Sequence, residues 1–195
     1  MGRPLYLLEQ AFSAMGSPCE VKLYADSKTR ARHLAKRVIE EVERLEAKYS
    51  RYREDSLLSD INRVAQAGGS MRVDPETAGL LDYVATCWQQ SQGLFDVTSG
   101  VLRKAWQFKE ETLPEPDAIQ RLLDHVGWDR LSWQNPAISF PEAGLELDLQ
   151  HGFLGAGVPL VNEVDRVVRR VDADEADAHL HAVRAGLALD EVEHA

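Results

Sequence analysis

Leu34, Val38, Val42, Leu45 and Tyr49 recur at spacings of three and four, with Lys, Arg and Glu filling the positions between them. That period draws one apolar stripe along a long helix, and such a stripe must be buried against other elements of the chain. The residues before it supply a partner. Cys19-Glu20-Val21-Lys22-Leu23-Tyr24 alternates apolar and polar, the period of a half-buried strand, and Leu5 to Phe12 reads as a second strand. Gly16-Ser17-Pro18 between them is a turn signal. The chain is expected to open with a β-hairpin and to lay a long amphipathic helix beside it.

Further along, Asp74-Pro75 reads as an N-cap followed by proline in the first helical turn. The helix it starts carries Leu80, Leu81, Val84 and Trp88 inward and stops at Gly93. A short helix after Pro114 presents Ile119, Leu122, Leu123 and Val126 and closes at Gly127, and Leu145-Glu146-Leu147-Asp148-Leu149 alternates as a strand does. Strands, helices and strands follow one another without a regular βαβ repeat, which predicts the α+β class.

Composition narrows the function classes. The 195 residues are 44% hydrophobic and 28% charged, ordinary usage for a globular domain with a real core. No apolar run approaches the roughly 18 residues of a membrane-spanning helix, so no integral membrane segment is expected. The net charge of −10 argues against a nucleic-acid partner, which calls for a basic face. Two cysteines, Cys19 and Cys87, make neither a disulfide framework nor a zinc cluster. His179 and His181 lack the i, i+4 spacing of a helical metal pair, and Gly152, Gly155 and Gly157 form neither a dinucleotide fingerprint nor a phosphate loop. Met1-Gly2-Arg3-Pro4-Leu5-Tyr6 does not read as a secretory signal, so a cytoplasmic location is expected for the chain as given.

The C-terminal stretch has a different character. No Phe, Trp or Tyr follows Phe153, and Asn162 to Ala195 holds nine Asp/Glu against four Arg, half of the net charge. Without aromatic anchors it reads as a loosely attached acidic tail.

Four clusters carry more polar groups and glycines than packing requires. At Ala14-Met15-Gly16-Ser17, Gly16 permits either a plain hairpin turn or a close ligand approach. Ser50-Arg51-Tyr52-Arg53-Glu54-Asp55-Ser56 sets a tyrosine between two arginines, suited to stacking on a planar ligand, while Asp55 or Ser56 caps a helix carrying Leu57, Leu58 and Ile61. Tyr52 is therefore expected at the surface or in a cleft. In Gly93-Leu94-Phe95-Asp96-Val97-Thr98-Ser99-Gly100, two glycines bracket a carboxylate and a hydroxyl, either as a ligand loop or as caps for a helix from Val101 to Phe108. Asp148, between Leu147 and Leu149, is either a site carboxylate or a solvent-exposed strand position.

Together these clusters resemble the ApbE-type FAD:protein FMN transferases. Met15-Gly16-Ser17 is similar to that family's M-G-[TS]. Ser50 to Ser56 with Ser59 and Asn62 is similar to S-x-[YF]-x-x-[DN]-S-x-[LIV]-S-x-[LIVF]-N. Gly93 to Thr98 with Gly100, Leu102 and Trp106 resembles G-x-F-D-x-T-x-x-P-L-x-x-[LA]-W, and Leu147-Asp148-Leu149 resembles the start of D-L-G-G-[IF]-x-K-G-[YF]. Four motifs agree in order over roughly residues 10 to 150. The resemblance implies an ApbE-like, T-fold-related mixed sheet with packed helices, here incomplete. It implies Mg²⁺-assisted cleavage of FAD and transfer of FMN to a threonine of an acceptor flavoprotein. Met15, Tyr52, Leu94, Phe95, Asp96 and Asp148 match positions that contact FAD in the family. His151 matches the position whose backbone carbonyl helps hold the metal, and family members are often periplasmic lipoproteins. Met15, Asp96, Thr98 and Asp148 are accordingly expected to rim one cleft.

Beyond Asp148 the chain departs from the pattern. Gln150-His151-Gly152-Phe153-Leu154 replaces G-G-[IF]-x-K, with Leu154 at the lysine position, and the family's D-x-x-x-T metal motif has only a faint echo at Asp177 to His181. The expected organisation is therefore residues 1–150 as the N-terminal part of a flavin transferase domain and 151–195 as a divergent acidic tail. The alternative to a working transferase is a truncated, catalytically inactive flavin-binding remnant, with little or no transfer activity in the chain by itself.

Overall fold

The computed structural model describes residues 5–105 and 114–149. They fall into two compact units, 5–47 and 48–149, the division lying in the last turn of the long helix.

In the first unit, β1 (Tyr6–Ala14) and β2 (Ser17–Ala25) form an antiparallel hairpin, and α1 spans Lys28–Tyr49. Alternation is the reason for the hairpin. Val21, Leu23 and Ala25 point to one face and are buried, with half-buried Tyr6, Leu8 and Phe12 beside them, while Glu9 and Lys22 pair at 2.9 Å on the other face. The stripe of α1 covers that apolar face with Ala31, Leu34, Ala35 and Val38. The strands run further than the sequence pattern indicated. They close at Met15-Gly16, and Ser17 and Pro18 belong to β2, paired with Ala14 and Ser13. Both turn residues have positive φ, 54° and 73°, as a tight hairpin of right-handed twist requires. Gly16 adopts this freely, whereas for Met15 it costs on the order of 1 kcal/mol. The Met15 amide donates to Glu46 Oε1 on α1 at 2.9 Å, which holds the strained residue in place.

The second unit contains α2 (Leu57–Ala67), β3 (Gly69–Arg72), α3 (Pro75–Gln90), a 3-10 helix (Val97–Ala105), α4 (Pro116–Leu123), β4 (Ser132–Gln134) and β5 (Ala137–Phe140). Its antiparallel sheet has the order β3-β5-β4. Leu58, Ile61 and Ala65 of α2 are buried, as are Leu80, Leu81 and Val84 of α3 and Ile138 and Phe140 of β5. Trp88 is only half-buried, and α4 keeps no residue fully buried. Both units are helices packed with small antiparallel sheets, the α+β class.

Asp74 caps α3 as its sequence position indicated, accepting from the amides of Glu76 (3.1 Å) and Thr77 (3.2 Å). A polar network surrounds the cap. Thr77 Oγ1 donates to Asp74 Oδ2 at 2.7 Å, so the buried Tyr49 hydroxyl, 2.9 Å from Thr77 Oγ1, is the donor to it. Lys48 Nζ lies 2.8 Å from Asp74 and 2.5 Å from Glu76. Partial burial pushes the Asp74 carboxyl up, but hydrogen bonds from Lys48 and Thr77 outweigh it and bring the pKa down to about 2. For Lys48 burial acts downward and is likewise outweighed, by Asp74 and Glu76, so its pKa is raised.

The expected strand at 145–149 is not one. Leu145, Leu147 and Leu149 do point inward and are buried, but among the described residues no neighbouring strand takes their backbone. Side-chain amides of α2 do so instead. Asn62 Nδ2 donates to Leu147 O at 2.9 Å, its Oδ1 accepts from Leu147 N at 2.8 Å, and Gln66, one turn later, donates to Leu145 O at 2.9 Å. The alternation reports the buried leucine face and is silent on what satisfies the backbone. Among the described residues no helix is long and apolar enough to cross a membrane.

Candidate functional site

The loop from Ser50 to Ser56 is built by its serines. Ser56 Oγ donates to Ser50 O at 2.5 Å and accepts the Ser59 amide at 3.0 Å, which makes Ser56 the N-cap of α2. Ser59 Oγ donates to Arg53 O at 2.6 Å, and the Tyr52 amide donates to Ser50 Oγ at 3.2 Å. Arg53 is turned to Asp55, with hydrogen bonds of 3.1 and 2.9 Å. The capping role and the display of a tyrosine coexist here. The framework lifts Tyr52 into solvent, 78% exposed, as its position between two arginines indicated.

Arg51 turns the other way, to Asp148. Its Nη1 contacts Asp148 Oδ2, while Nη2 donates to the Tyr52 hydroxyl at 2.6 Å and the guanidinium lies 4.8 Å from the Tyr52 ring centre. Arg103 Nη1 is 3.3 Å from the same Asp148 oxygen, and Arg103 Nε donates to Gly100 O at 3.1 Å. Asp148 is thus a buried carboxylate, only 2% exposed, and the solvent-exposed alternative for it is excluded. Its depth is compensated by two guanidinium groups, without which burying the charge would be prohibitive. Lys104 and Arg103 also reach Glu146, so three cations meet two carboxylates in a protein of net charge −10.

Asp148 lies directly against the Gly93–Gly100 loop. Its amide donates to Val97 O at 2.8 Å. A Cβ on Gly100 would stand 2.5 Å from the Asp148 Cβ, so only glycine lets the two segments approach this closely. Asp96 and Thr98 are therefore gathered near Asp148 as expected, while Met15 belongs to the other unit. Asp96 Oδ1 accepts from the Thr98 amide (2.8 Å) and hydroxyl (2.6 Å), and Oδ2 accepts from the Trp128 amide at 2.8 Å. The Thr98 hydroxyl in turn accepts from the Gly127 amide at 2.7 Å. These two side chains brace the loop against the Gly127-Trp128 turn. The capping alternative placed a helix from Val101 to Phe108, whereas a 3-10 helix begins already at Val97, directly after Asp96, and residues 106–108 lie outside the described residues. Beside them Leu94 is 93% exposed and Phe95 half-buried, its amide bonded to Ser91 Oγ at 2.9 Å. Trp106 and His151 lie outside the described residues, and among the described residues no three His, Cys, Asp or Glu converge as a metal site.

Sequence reasoning missed Arg51 and Arg103 as partners of Asp148, and Asn62 as the clamp of the segment that delivers it. The clue for Arg103 was its spacing from Gly100, which puts it one turn along the same short helix.

The fold has close counterparts. The crystal structure of the ApbE protein from Thermotoga maritima superposes with a TM-score of 0.70 at 22% identity, covering 86% of this chain and 54% of that one. The apo flavinyl transferase ApbE of Pseudomonas stutzeri gives a TM-score of 0.68 at 22% identity, covering 87% and 54%. A FAD:protein FMN transferase of Chlamydia pneumoniae is 30% identical over 125 residues, 62% of this chain and 40% of that protein. The chain thus spans about half the length, or less, of these relatives. The model of the ApbE family matches residues 15–176, from the hairpin turn through all four motifs. That match covers most of the sequence, and the chain belongs to the ApbE family.

Proposed function

We propose that this chain is the flavin-nucleotide-recognising portion of a FAD:protein FMN transferase. In the proposed reaction a threonine hydroxyl of an acceptor flavoprotein attacks the FMN phosphorus of FAD. A phosphoester forms, the bridging P–O bond of the pyrophosphate breaks, and AMP leaves as the threonine proton is lost. Mg²⁺ would neutralise charge on the pyrophosphate, as phosphoryl chemistry generally requires. Among the described residues no three His, Cys, Asp or Glu come together to hold it.

The observation that carries the reading is the exposed Tyr52 beside the buried, doubly paired Asp148, in a chain with a curated relative named FAD:protein FMN transferase. An exposed ring held on a cationic support suits a planar, anionic ligand. Leu94 and Phe95 on the adjoining loop would extend the apolar contact. A second reading is binding of flavin nucleotide without transfer, which the exposed Tyr52 ring on its Arg51 support would serve equally well. One experiment separates the two. The protein is titrated with FAD, then incubated with FAD, Mg²⁺ and a threonine-bearing acceptor and run on a denaturing gel. A fluorescent acceptor band supports transfer, saturable binding without a band supports the binding-only reading, and the absence of both refutes the proposal.

A further inference from the structure

We propose that Arg51 is the positioning residue of this nucleotide site, joining the stacking ring of Tyr52 to the carboxylate of Asp148 through one guanidinium; the inference rests on the flavin-nucleotide reading above. The geometry is specific to arginine. Nη1 is committed to Asp148 and Nη2 to the Tyr52 hydroxyl, two acceptors on segments far apart in sequence. A planar fork of fixed geometry serves both at once, whereas an ammonium at the end of a flexible stem does not. The Arg51 side chain is only 17% exposed and that of Asp148 only 3%, so this end of the link is held within the structure. Tyr52 is the opposite case. At 78% exposure it has little packing to select a rotamer, and among the described residues the contacts that hold its ring are the hydroxyl bond and the guanidinium 4.8 Å from its ring centre.

The consequence is preorganisation. A free tyrosine must be ordered when a ligand stacks on it, and ordering one side chain weakens affinity by about two- to tenfold. Arg51 meets that cost before the ligand arrives. Arg103 has a separate task. It is anchored to Gly100 O and remains a counter-ion for Asp148 when Arg51 is altered, so a charge-conserving change at Arg51 does not strand a buried carboxylate.

The test is a double-mutant cycle on the full chain, with Arg51→Lys and Tyr52→Phe, read by FAD titration and by urea unfolding. Each variant is expected to bind FAD about two- to tenfold more weakly than wild type, with the double variant no weaker than the single ones, since both break the same link. The urea midpoints of Tyr52→Phe and wild type should coincide, which separates positioning from a structural role. In ligand-free protein carrying ¹³C-tyrosine, the Tyr52 ring resonance should move in Arg51→Lys while the other four tyrosines stay in place. If Arg51→Lys does not fold, Tyr52→Phe still decides the matter through its FAD affinity. Unchanged affinity in Tyr52→Phe, additive losses, or an unmoved Tyr52 resonance would overturn the inference while leaving the binding reading intact. Failure of the wild-type protein to bind FAD would overturn the underlying reading and the inference with it.

Discussion

Asn62 clamps the backbone of Leu147 with one side chain, and its removal should be costly. Its amide satisfies both the N–H and the C=O of Leu147, a residue only 1% exposed. Asn62→Ala deletes two hydrogen bonds of about 0.5–1.5 kcal/mol each and leaves a buried donor and acceptor without their partner, so the expected loss is about 2–3 kcal/mol. With a urea m-value of roughly 2 kcal/mol/M for a chain of this size, the midpoint should fall by about 1–1.5 M at unchanged m. Asn62→Asp is the sharper probe. At neutral pH the new carboxylate accepts from Leu147 N but sets a second acceptor against Leu147 O, so it should be no better than alanine. Once protonated, it donates to that carbonyl and restores the clamp. Folding therefore raises the pKa of the introduced group above the unfolded value of about 3.9. The variant's deficit should be full at pH 7 and shrink as pH falls through the raised folded-state value, the reverse of ordinary acid destabilisation. A loss below about 0.5 kcal/mol for Asn62→Ala, within the range of a neutral surface change, would refute the claim that this amide secures the segment. So would an Asn62→Asp variant as stable as wild type at pH 7.

Three further outcomes follow from the geometry. Gly100→Ala forces a Cβ to 2.5 Å from Asp148 and should cost about 1–3 kcal/mol in urea unfolding, with serine no better. Thr98→Val removes the donor to Asp96 and the acceptor for Gly127 at a position with no exposure, and a loss of about 1–3 kcal/mol is expected by thermal or urea unfolding. Asp74→Asn keeps a capping oxygen but loses the charge. Because the Asp74 pKa is depressed from 3.8 to about 2, its ionic contribution is complete above about pH 4 and disappears as pH falls through 2. With 40% of the side chain exposed, solvent screening holds that contribution to about 1 kcal/mol or less, so wild type and variant should converge in stability between pH 4 and 2.

Local chemistry was readable where one element reports on itself. The α1 stripe, the alternation of Val21 and Leu23, the cap expected at Asp55 or Ser56, which Ser56 supplies, and the Asp74-Pro75 start all took the places their residue types prefer. The exposure of Tyr52 was readable because its arginine neighbours leave no apolar face to bury. What could not be read were partnerships between distant segments. Arg51 meets Asp148 across 97 positions and Asn62 meets Leu147 across 85, and no periodicity encodes such pairs. Asp148 was ambiguous for the same reason. A charge between two leucines is exposed on an ordinary strand, and it is buried here because two arginines from elsewhere in the unit are brought to it. The hairpin turn was displaced by one residue because Gly-Ser-Pro is the stronger local signal, yet Glu46 on α1 makes the positive φ of Met15 tolerable.

The Met15–Glu46 bond has a consequence for how the first unit opens. An amide at the tip of a two-residue turn ordinarily exchanges its hydrogen with solvent at once, since strand ends fray. Here that amide is tied to a carboxylate on α1, and Glu46 sits on the turns of the helix that also place Val42 and Leu45 in the core. Exposure of the Met15 amide therefore demands either loss of the tether or movement of the helix beneath it. Hairpin tip and helix become one cooperative unit in hydrogen exchange, and the most strained residue of the turn serves as a native reporter of the integrity of α1.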